Sequence, residues 1–175
     1  MKLALETAKE METLGVIGKH AIIGSFAIIY YAGPISTDDL DICFLHGLRT
    51  TQIFSMRAIY EYLQSKGFQP VDFTVLIGGV KVQFIPSTGP LSDEAVSTST
   101  EVTLFGVTTR VITPAYLLAM KLEASRPKDY VHILYLLDNS NEVIDLQLAA
   151  TLFSKFGLID KWNKFLSSTL WKPKP

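Results

Sequence analysis

The residues best suited to chemistry are two aspartates, Asp39 and Asp41, at the start of the apolar run LDICFL. Side chains two apart on a β-strand point to the same face, so a strand here brings both carboxylates together. Converging carboxylates repel each other unless a cation neutralises them, and proteins hold Mg²⁺ with one or two carboxylates plus water and substrate phosphates. The pair therefore predicts a metal–nucleotide site for Mg²⁺ or Mn²⁺. The alternative interpretation is a turn in which the aspartates bond to nearby backbone.

Upstream of this pair, Gly24-Ser25 separates the apolar runs HAII and FAIIYYAG. A glycine–serine pair between a strand and a helix offers unpaired amide N–H groups, a hydroxyl and the positive end of a helix dipole, which together bind anions. If the two strands are neighbours, a phosphate bound there lies near Asp39 and Asp41. This combination is what metal-assisted phosphoryl transfer requires.

The order of these parts resembles the nucleotidyltransferase superfamily related to DNA polymerase β, especially its minimal, AbiEii-like members. The first matching stretches are Gly24-Ser25-Phe26-Ala27 and Thr37-Asp38-Asp39-Leu40-Asp41-Ile42. The later stretch TPAYLLAMKLEASRPKDYVHILYLL is similar to the carboxyl-side helices of that family. Its matching positions are Pro114, Lys121, Leu122, Arg126, Lys128 and Asp129.

The resemblance implies a metal-dependent enzyme that transfers a nucleoside monophosphate from an NTP to an acceptor hydroxyl. The implied metal ligands, also catalytic, are Asp39 and Asp41. The implied nucleotide-binding residues are Gly24, Ser25, Thr37, Lys121, Arg126 and Lys128. The acceptor is RNA, a protein or a small molecule, and the AbiEii-like resemblance implies a toxin–antitoxin or phage-defence setting.

Two positions depart from the family pattern. Gln83 stands where active members place a third catalytic carboxylate, and an amide cannot serve as a general base. Ile35 stands where a basic residue is usual. Asp72, or Asp93-Glu94, are candidates to replace the missing acid, although the latter two also suit the start of a short helix. A second hypothesis is therefore a nucleotide-binding sensor of the same fold without turnover.

Other titratable residues have structural interpretations. His20 and His46 flank apolar strands and are interpreted as partly buried or edge residues rather than metal ligands. The basic residues also have a purely structural interpretation. In it, Lys128 and Asp129 form an ion pair on the surface, and the Lys121 side chain extends from an apolar helix to solvent.

Apolar spacing and turn residues predict the elements that position these side chains. Helices are expected at 3–14, 26–33, 50–67, 114–125, 126–139 and 143–157, with a helical turn at 93–97 and a frayed tail at 170–175. Strands are expected at 20–23 and 40–45, with hairpins at 73–86, turning at Gly78-Gly79, and at 101–112, turning near Gly106.

Strands occupy the first two thirds of this order and helices the last third, which predicts an α+β fold. We expect a nucleotidyltransferase-like small mixed β-sheet with flanking helices and a C-terminal helical segment. The expected division is a core at 1–112 and a helical segment at 113–175, packed as one unit of 175 residues. Because 48% of the residues are hydrophobic and 19% charged, a third hypothesis is an interaction module that forms a homodimer or binds a partner protein.

The composition of the chain limits the cellular compartment and the kinds of partner that we expect. The longest apolar run, from Ala21, is shorter than the roughly 20 residues of a membrane helix, so no membrane association is expected. Cys43 is the single cysteine and lies in an apolar run, which predicts a core residue and a reducing, cytoplasmic compartment. The net charge of -1 excludes a global basic field, so nucleic-acid binding requires a local patch.

Overall fold

The computed structural model describes residues 1–46, 56–140, 144–169 and 171, which contain eight helices and seven strands. The helices are α1 (Lys2–Thr13), α2 (Gly24–Ala32), α3 (Met56–Ser65), α4 (Pro90–Ser97), α5 (Pro114–Ala124), α6 (Pro127–Asn139), α7 (Leu146–Lys155) and α8 (Ile159–Ser168). The strands are β1 (His20–Ile22), β2 (Asp39–Phe44), β3 (Pro70–Val71), β4 (Thr74–Ile77), β5 (Val80–Pro86), β6 (Thr100–Leu104) and β7 (Val107–Val111).

All the strands form one mixed sheet in the order β3-β4-β5-β2-β1-β7-β6. The central strands β1 and β2 are antiparallel, whereas β2 runs parallel to β5 and β1 runs parallel to β7. Alternate residues of β2, from Leu40 to Phe44, are buried and face the core. The aspartates of β2 therefore point to the opposite face. The predicted α+β fold with a small mixed sheet is confirmed.

Two glycine-containing turns close the predicted hairpins. Gly78 and Gly79 join β4 to β5 with φ of 57° and 81°, and Phe105 and Gly106 join β6 to β7 with φ of 51° and 76°. Positive φ at both central residues matches the right-handed twist of the flanking strands, and glycine adopts it without a Cβ penalty. Both predicted hairpins are confirmed.

The helices cover the sheet and one another. Helix α2 contacts β2 as well as α5 and α6, and α1 contacts β7. Helix α5 is buried almost along its whole length, so its residues at 115–119 and 121–122 complete the core. No described helix is long and apolar enough to cross a membrane. The division of the chain at residues 112 and 113 stays a prediction.

Three elements differ from the sequence prediction. The expected turn at 93–97 is a longer helix, α4, because Pro90 occupies its first turn and the Ser92 hydroxyl accepts hydrogen bonds from the N–H groups of Thr88 and Gly89. Strand β3 was not predicted, since two residues are too few to show an alternating pattern. Helix α8 was also missed, although Trp162, Phe165 and Leu166 have helical spacing.

Several predicted segments lie partly outside the described residues. The expected helix at 50–67 is described from Met56, and the expected helix at 143–157 is described from residue 144, with α7 beginning after Asp145. The Asp145 carboxylate accepts a hydrogen bond from the N–H of Leu148 and caps that helix. In the predicted frayed tail only Trp171 is described, and its ring packs against Trp162 at 6.0 Å between centroids.

Candidate functional site

A cavity of about 540 Å³ opens beside β2, between the start of α2 and helices α5 and α6. It is lined by every residue for which the family resemblance implies a place in the site: Gly24, Ser25, Thr37, Asp39, Asp41, Gln83, Lys121, Arg126 and Lys128. These residues come from five separate segments of the chain. The fold brings them together, and their roles stay predictions.

The start of α2 lies directly against Asp41. Gly24 has φ of +66°, and a Cβ at this position would overlap the Oδ2 atom of Asp41. The preceding residue, Ile23, donates its N–H to the carbonyl of Asp41 at 3.0 Å and provides no side-chain cap to the helix. A glycine is required here both by the backbone conformation and by the close approach of the carboxylate. The first-turn N–H groups of α2 therefore lie at the cavity, next to Asp41.

Asp39 and Asp41 share one face of β2, as alternation predicts, and each is half-buried. The buried Leu40 between them holds this stretch of strand against the core. Thr37 donates its hydroxyl to the carbonyl of Asp39 at 3.3 Å, which restrains the loop entering the strand. Gln83 lies opposite Asp41 in the parallel register of β2 and β5. We call Asp39, Asp41 and Gln83 the acidic wall of the cavity.

The pKa of Asp41 is raised, chiefly by burial. The positive charge of Lys121 opposes this shift, whereas the negative charge of Asp39 adds to it. Weaker attraction from Lys128 and Arg126 also lowers the pKa of Asp41, but burial and the like charge of Asp39 outweigh these effects. The acidic wall therefore favours an added positive charge, either a proton or a cation.

Helices α5 and α6 form the opposite side of the cavity, and Asp129 holds its basic residues in place. The Asp129 carboxylate is fully buried and accepts from Lys121 Nζ at 2.9 Å and from Arg126 Nε at 2.6 Å. It also accepts from the backbone N–H of Arg126 at 3.3 Å, at the start of α6. We call Lys121, Arg126, Lys128 and Asp129 the cationic wall.

Burial raises the pKa of Asp129, but the hydrogen bonds from Arg126 and Lys121 outweigh it and bring the pKa to about 2. Asp129 is therefore ionised at neutral pH. Because it is buried between two cations, the interpretation of Lys128 and Asp129 as a surface pair is wrong. Lys121 does not extend to solvent either, since only 8% of its side chain is exposed.

The residues considered as substitutes for a third acid lie elsewhere. Asp72 has φ of +54° in the turn between β3 and β4. Asp93 accepts from the Ser87 hydroxyl at 2.5 Å, and Glu94 bridges Tyr116 and Lys155 at 2.7 and 2.5 Å. All three lie outside the cavity lining, so none of them replaces Gln83 there.

The other residues discussed in the sequence analysis, His20, His46, Cys43 and Ile35, do not line the cavity. His20 is buried, with its Nδ1 2.5 Å from Glu12, and His46 is exposed after β2. Cys43 is buried, and burial raises the pKa of its thiol to about 12, which confirms a core residue. Ile35 packs, half-buried, against the core and does not line the cavity.

Sequence reasoning missed three titratable residues of the lining, Asp38, Glu123 and His132. Burial lowers the pKa of His132, and Lys121 adds to the effect, so the imidazole is neutral at physiological pH. His132 is one helical turn from Lys128 and Asp129, and that spacing was the signal that placed it on the same helix face.

The two carboxylates of the acidic wall are suitable ligands for a divalent cation. Two half-buried carboxylates on one strand face match the mode in which Mg²⁺ takes protein ligands and completes its shell with water and phosphate. No cluster of three or more histidine, cysteine, aspartate or glutamate side chains that would form a full protein cage exists among the described residues.

Structural comparison identifies the fold. A nucleotidyltransferase-like antigenic protein from Paracoccidioides brasiliensis superimposes with a TM-score of 0.59, covering 99% of this chain and 93% of that one, at 16% identity. The chain has a nucleotidyltransferase fold. The antibiotic-resistance factor ANT(2")-Ia, in complex with adenylyl-2"-tobramycin, is less similar, with a TM-score of 0.47 and 15% identity over 94% of this chain and 96% of that one. No protein-family model and no curated protein sequence matches the chain.

Proposed function

We propose that this chain is a metal-dependent nucleotidyltransferase that transfers a nucleoside monophosphate from an NTP to an acceptor hydroxyl. One observation carries the proposal: the helix start at Gly24 and Ser25, the acidic wall and the cationic wall line one cavity in a nucleotidyltransferase fold. A triphosphate with bound cation is the ligand whose charges complement all three. The cavity volume of about 540 Å³ falls within the range of small-molecule and cofactor sites.

Each part of the cavity has a role in this proposal. The first-turn N–H groups of α2 and the Ser25 hydroxyl donate to phosphate oxygens. Lys121, Arg126 and Lys128 neutralise the negative charge of the triphosphate, and Asp129 keeps the first two oriented before the nucleotide binds. Mg²⁺ or Mn²⁺ held by Asp39 and Asp41 would polarise the phosphoryl group and lower the charge repulsion against an attacking oxygen.

The transfer itself is a single substitution at the α-phosphorus. The acceptor oxygen forms a bond to that phosphorus while the bond to the bridging oxygen of the β-phosphate breaks, and pyrophosphate leaves with the electron pair. The proton of the acceptor hydroxyl passes to solvent water, because the amide of Gln83 cannot take it. The expected consequence is slow turnover that rises with pH.

A labelling experiment tests the proposal. The protein is incubated with each labelled NTP, with Mg²⁺ or Mn²⁺, and with total RNA, cell extract or small polyols as acceptors. We expect transfer to fall about a hundredfold or more in Asp41→Ala, because several kcal/mol of transition-state stabilisation depend on the metal. Asp160→Ala, at the exposed start of α8, is the matched control. Equal labelling by both variants would refute catalysis by this cavity.

The register of Gln83 with Asp41 favours a second candidate function, a sensor that binds nucleotide without turnover. Calorimetry separates the two functions. A sensor binds Mg²⁺–NTP in a manner that depends on Asp41 but forms no pyrophosphate, whereas the enzyme does both. Failure of every NTP to bind, or to raise the melting temperature by mass action, would remove both functions.

The AbiEii-like resemblance extends the proposal to a toxin–antitoxin or phage-defence system in the cytoplasm. The chain then inhibits growth when it is expressed alone in a bacterial host, and Asp41→Ala relieves the inhibition. Growth unaffected by the wild-type chain would contradict this setting and leave the chemistry to the labelling experiment.

A further inference from the structure

A second cavity, of about 280 Å³, opens where β1 begins. Residues of α1, β1, β6 and β7 line it: Lys9, Glu12, Thr13, His20, Glu101, Thr108, Thr109 and Arg110. None of these residues lines the cavity at Asp41. His20 is the first residue of β1, whereas Gly24 comes just after its other end, so the two cavities lie at opposite ends of this strand. The second cavity is therefore a separate place in the fold.

Two buried polar groups of the second cavity lack partners. His20 is 2% exposed and Thr109 is 3% exposed. Among the described residues, neither His20 Nε2 nor Thr109 Oγ1 has a hydrogen-bond partner. The large majority of buried polar side-chain atoms in proteins are hydrogen-bonded, because an unmade bond leaves the cost of desolvation uncompensated. Since both residues line the second cavity, a polar molecule bound there would satisfy them.

Glu12 holds the charged groups of this cavity in position. Its carboxylate accepts from Arg110 Nη1 at 2.9 and 3.1 Å, and His20 Nδ1 lies 2.5 Å from it. Burial raises the pKa of Glu12, but His20 and Arg110 outweigh that effect and bring the pKa to about 2. Because the carboxylate only accepts, the proton is on Nδ1, and Nε2 of the neutral imidazole is an acceptor. Arg110 makes these contacts through Nη1, so Nε and Nη2 remain donors for a ligand.

The rim of the second cavity adds one charge of each sign. Lys9 and Glu101 are exposed, and within the described part of the chain neither side chain has an ion-pair or hydrogen-bond partner. Glu101 lies opposite Arg110 in the register of β6 and β7, but Arg110 pairs with Glu12 instead. Since Arg110 and Glu12 neutralise each other, the charges left for a ligand are those of Lys9 and Glu101. The lining therefore complements a molecule with one positive and one negative group.

We propose that the second cavity binds a small zwitterion, an α-amino acid with a small or polar side chain. The ligand carboxylate accepts from Lys9 and from the free N–H groups of Arg110. The ligand ammonium donates to His20 Nε2, to the Thr109 hydroxyl and to the Glu101 carboxylate. Hydrogen bonds to charged groups are the stronger kind, so both ends of the ligand contribute to its affinity.

The chemistry of the lining favours an amino acid over other small molecules. All the described lining residues are polar, so a nucleobase or a sugar ring has no aromatic or aliphatic surface to pack on. Glu12 and Glu101 would repel a simple anion, and Lys9 and Arg110 would repel a simple cation. The cavity has the volume of about nine water molecules, at about 30 Å³ each, which suits a small amino acid.

Calorimetry tests the proposal on the full chain without nucleotide or metal. The ligands are glycine, serine, glutamine and leucine, and leucine is expected to bind at least about tenfold more weakly than serine, because its side chain meets no apolar surface. Lys9→Gln and Glu101→Gln should each weaken serine binding about fivefold. Thr109→Val should do the same. It should not lower the melting temperature of the ligand-free protein, because the hydroxyl that it removes has no partner among the described residues.

Matched controls lie outside both cavities. Thr103→Val, Lys164→Gln and Asp160→Asn make comparable changes at other positions and should bind serine as the wild type does. Two analogues test which end of the ligand meets which charge. Serine amide lacks the carboxylate and should lose nothing further in Lys9→Gln. N-acetylserine lacks the ammonium and should lose nothing further in Glu101→Gln.

Three outcomes would overturn the proposal. They are additive losses in these pairings, equal binding by cavity variants and controls, and saturable binding of glycerol or phosphate with none of any amino acid. Absence of saturable binding by every compound would mean that only water occupies the cavity and would refute the site. Because the two cavities share no lining residue, nucleotide transfer without amino-acid binding supports the proposed function alone, and amino-acid binding without transfer supports this site alone.

Discussion

The two walls of the cavity are built in opposite ways. In the cationic wall, a buried carboxylate, Asp129, is paired with Lys121 and Arg126, so folding itself sets the positions of two cations. In the acidic wall, two carboxylates share one strand face, and the charges of Lys121, Lys128 and Arg126 offset that of Asp41. The anion site is therefore organised before a ligand arrives, whereas the cation site becomes favourable only when a cation is added.

The largest expected effect comes from breaking the cationic wall. Asp129→Asn leaves Lys121 buried without its counter-charge, which should lower the free energy of unfolding by about 3–5 kcal/mol. Urea denaturation measures this loss. Asp38→Asn, an exposed aspartate of the same cavity, is the control and should change stability by less than about 0.5 kcal/mol. Similar losses in both variants would mean that Asp129 is not the organising residue.

The next effect tests how tightly the start of α2 lies against the acidic wall. Gly24→Ala combines positive φ with a clash against Asp41, and we expect a loss of about 2 kcal/mol or more. Gly79→Ala has φ of +81° with no atom within 4 Å, so it measures the conformational cost alone. The double variant Gly24→Ala, Asp41→Ala lacks the carboxylate that causes the clash. It should regain the part of the stability loss by which Gly24→Ala exceeds Gly79→Ala. No recovery in thermal or urea unfolding would contradict the close approach.

A third carboxylate sharpens the character of the acidic wall. Gln83→Glu places a negative charge opposite Asp41 and should destabilise the metal-free protein by about 1 kcal/mol. Adding Mg²⁺ should restore the loss, and the variant should transfer nucleotide faster, because a carboxylate can accept the acceptor proton. Gln83→Met, uncharged and of similar size, is the control. A loss that Mg²⁺ does not restore would argue against a cation site at this wall.

The two walls should also differ in how stability depends on pH. The pKa of Asp129 is depressed to about 2, so its contribution to stability is complete above its ordinary pKa near 3.8 and is lost as pH falls toward 2. The pKa of Asp41 is raised, so stability falls as pH increases from 3.8 through the raised value. We therefore expect the difference in unfolding free energy between wild type and Asp129→Asn to grow as pH rises across the acidic range. The difference between wild type and Asp41→Asn should fall over the same range. Equal slopes would contradict the contrast between the walls.

Much of this molecule follows from local pattern. Alternation in LDICFL placed Asp39 and Asp41 on one strand face, and glycine pairs predicted both hairpins, because these features depend on neighbouring residues alone. Helix α8 and strand β3 escaped prediction for different reasons. Helix α8 does have helical spacing, at Trp162, Phe165 and Leu166, whereas strand β3 is held by pairing with β4 and has no pattern of its own.

The sequence by itself determined which residues carry charge, where the glycine-serine turn falls and which side chains of each strand share a face. Only the tertiary structure decided that Asp129 is buried between Lys121 and Arg126 and that Gln83 lies opposite Asp41. The physical reason is distance along the chain. Burial and strand register arise from contacts between segments tens of residues apart, and no local periodicity encodes which segments meet.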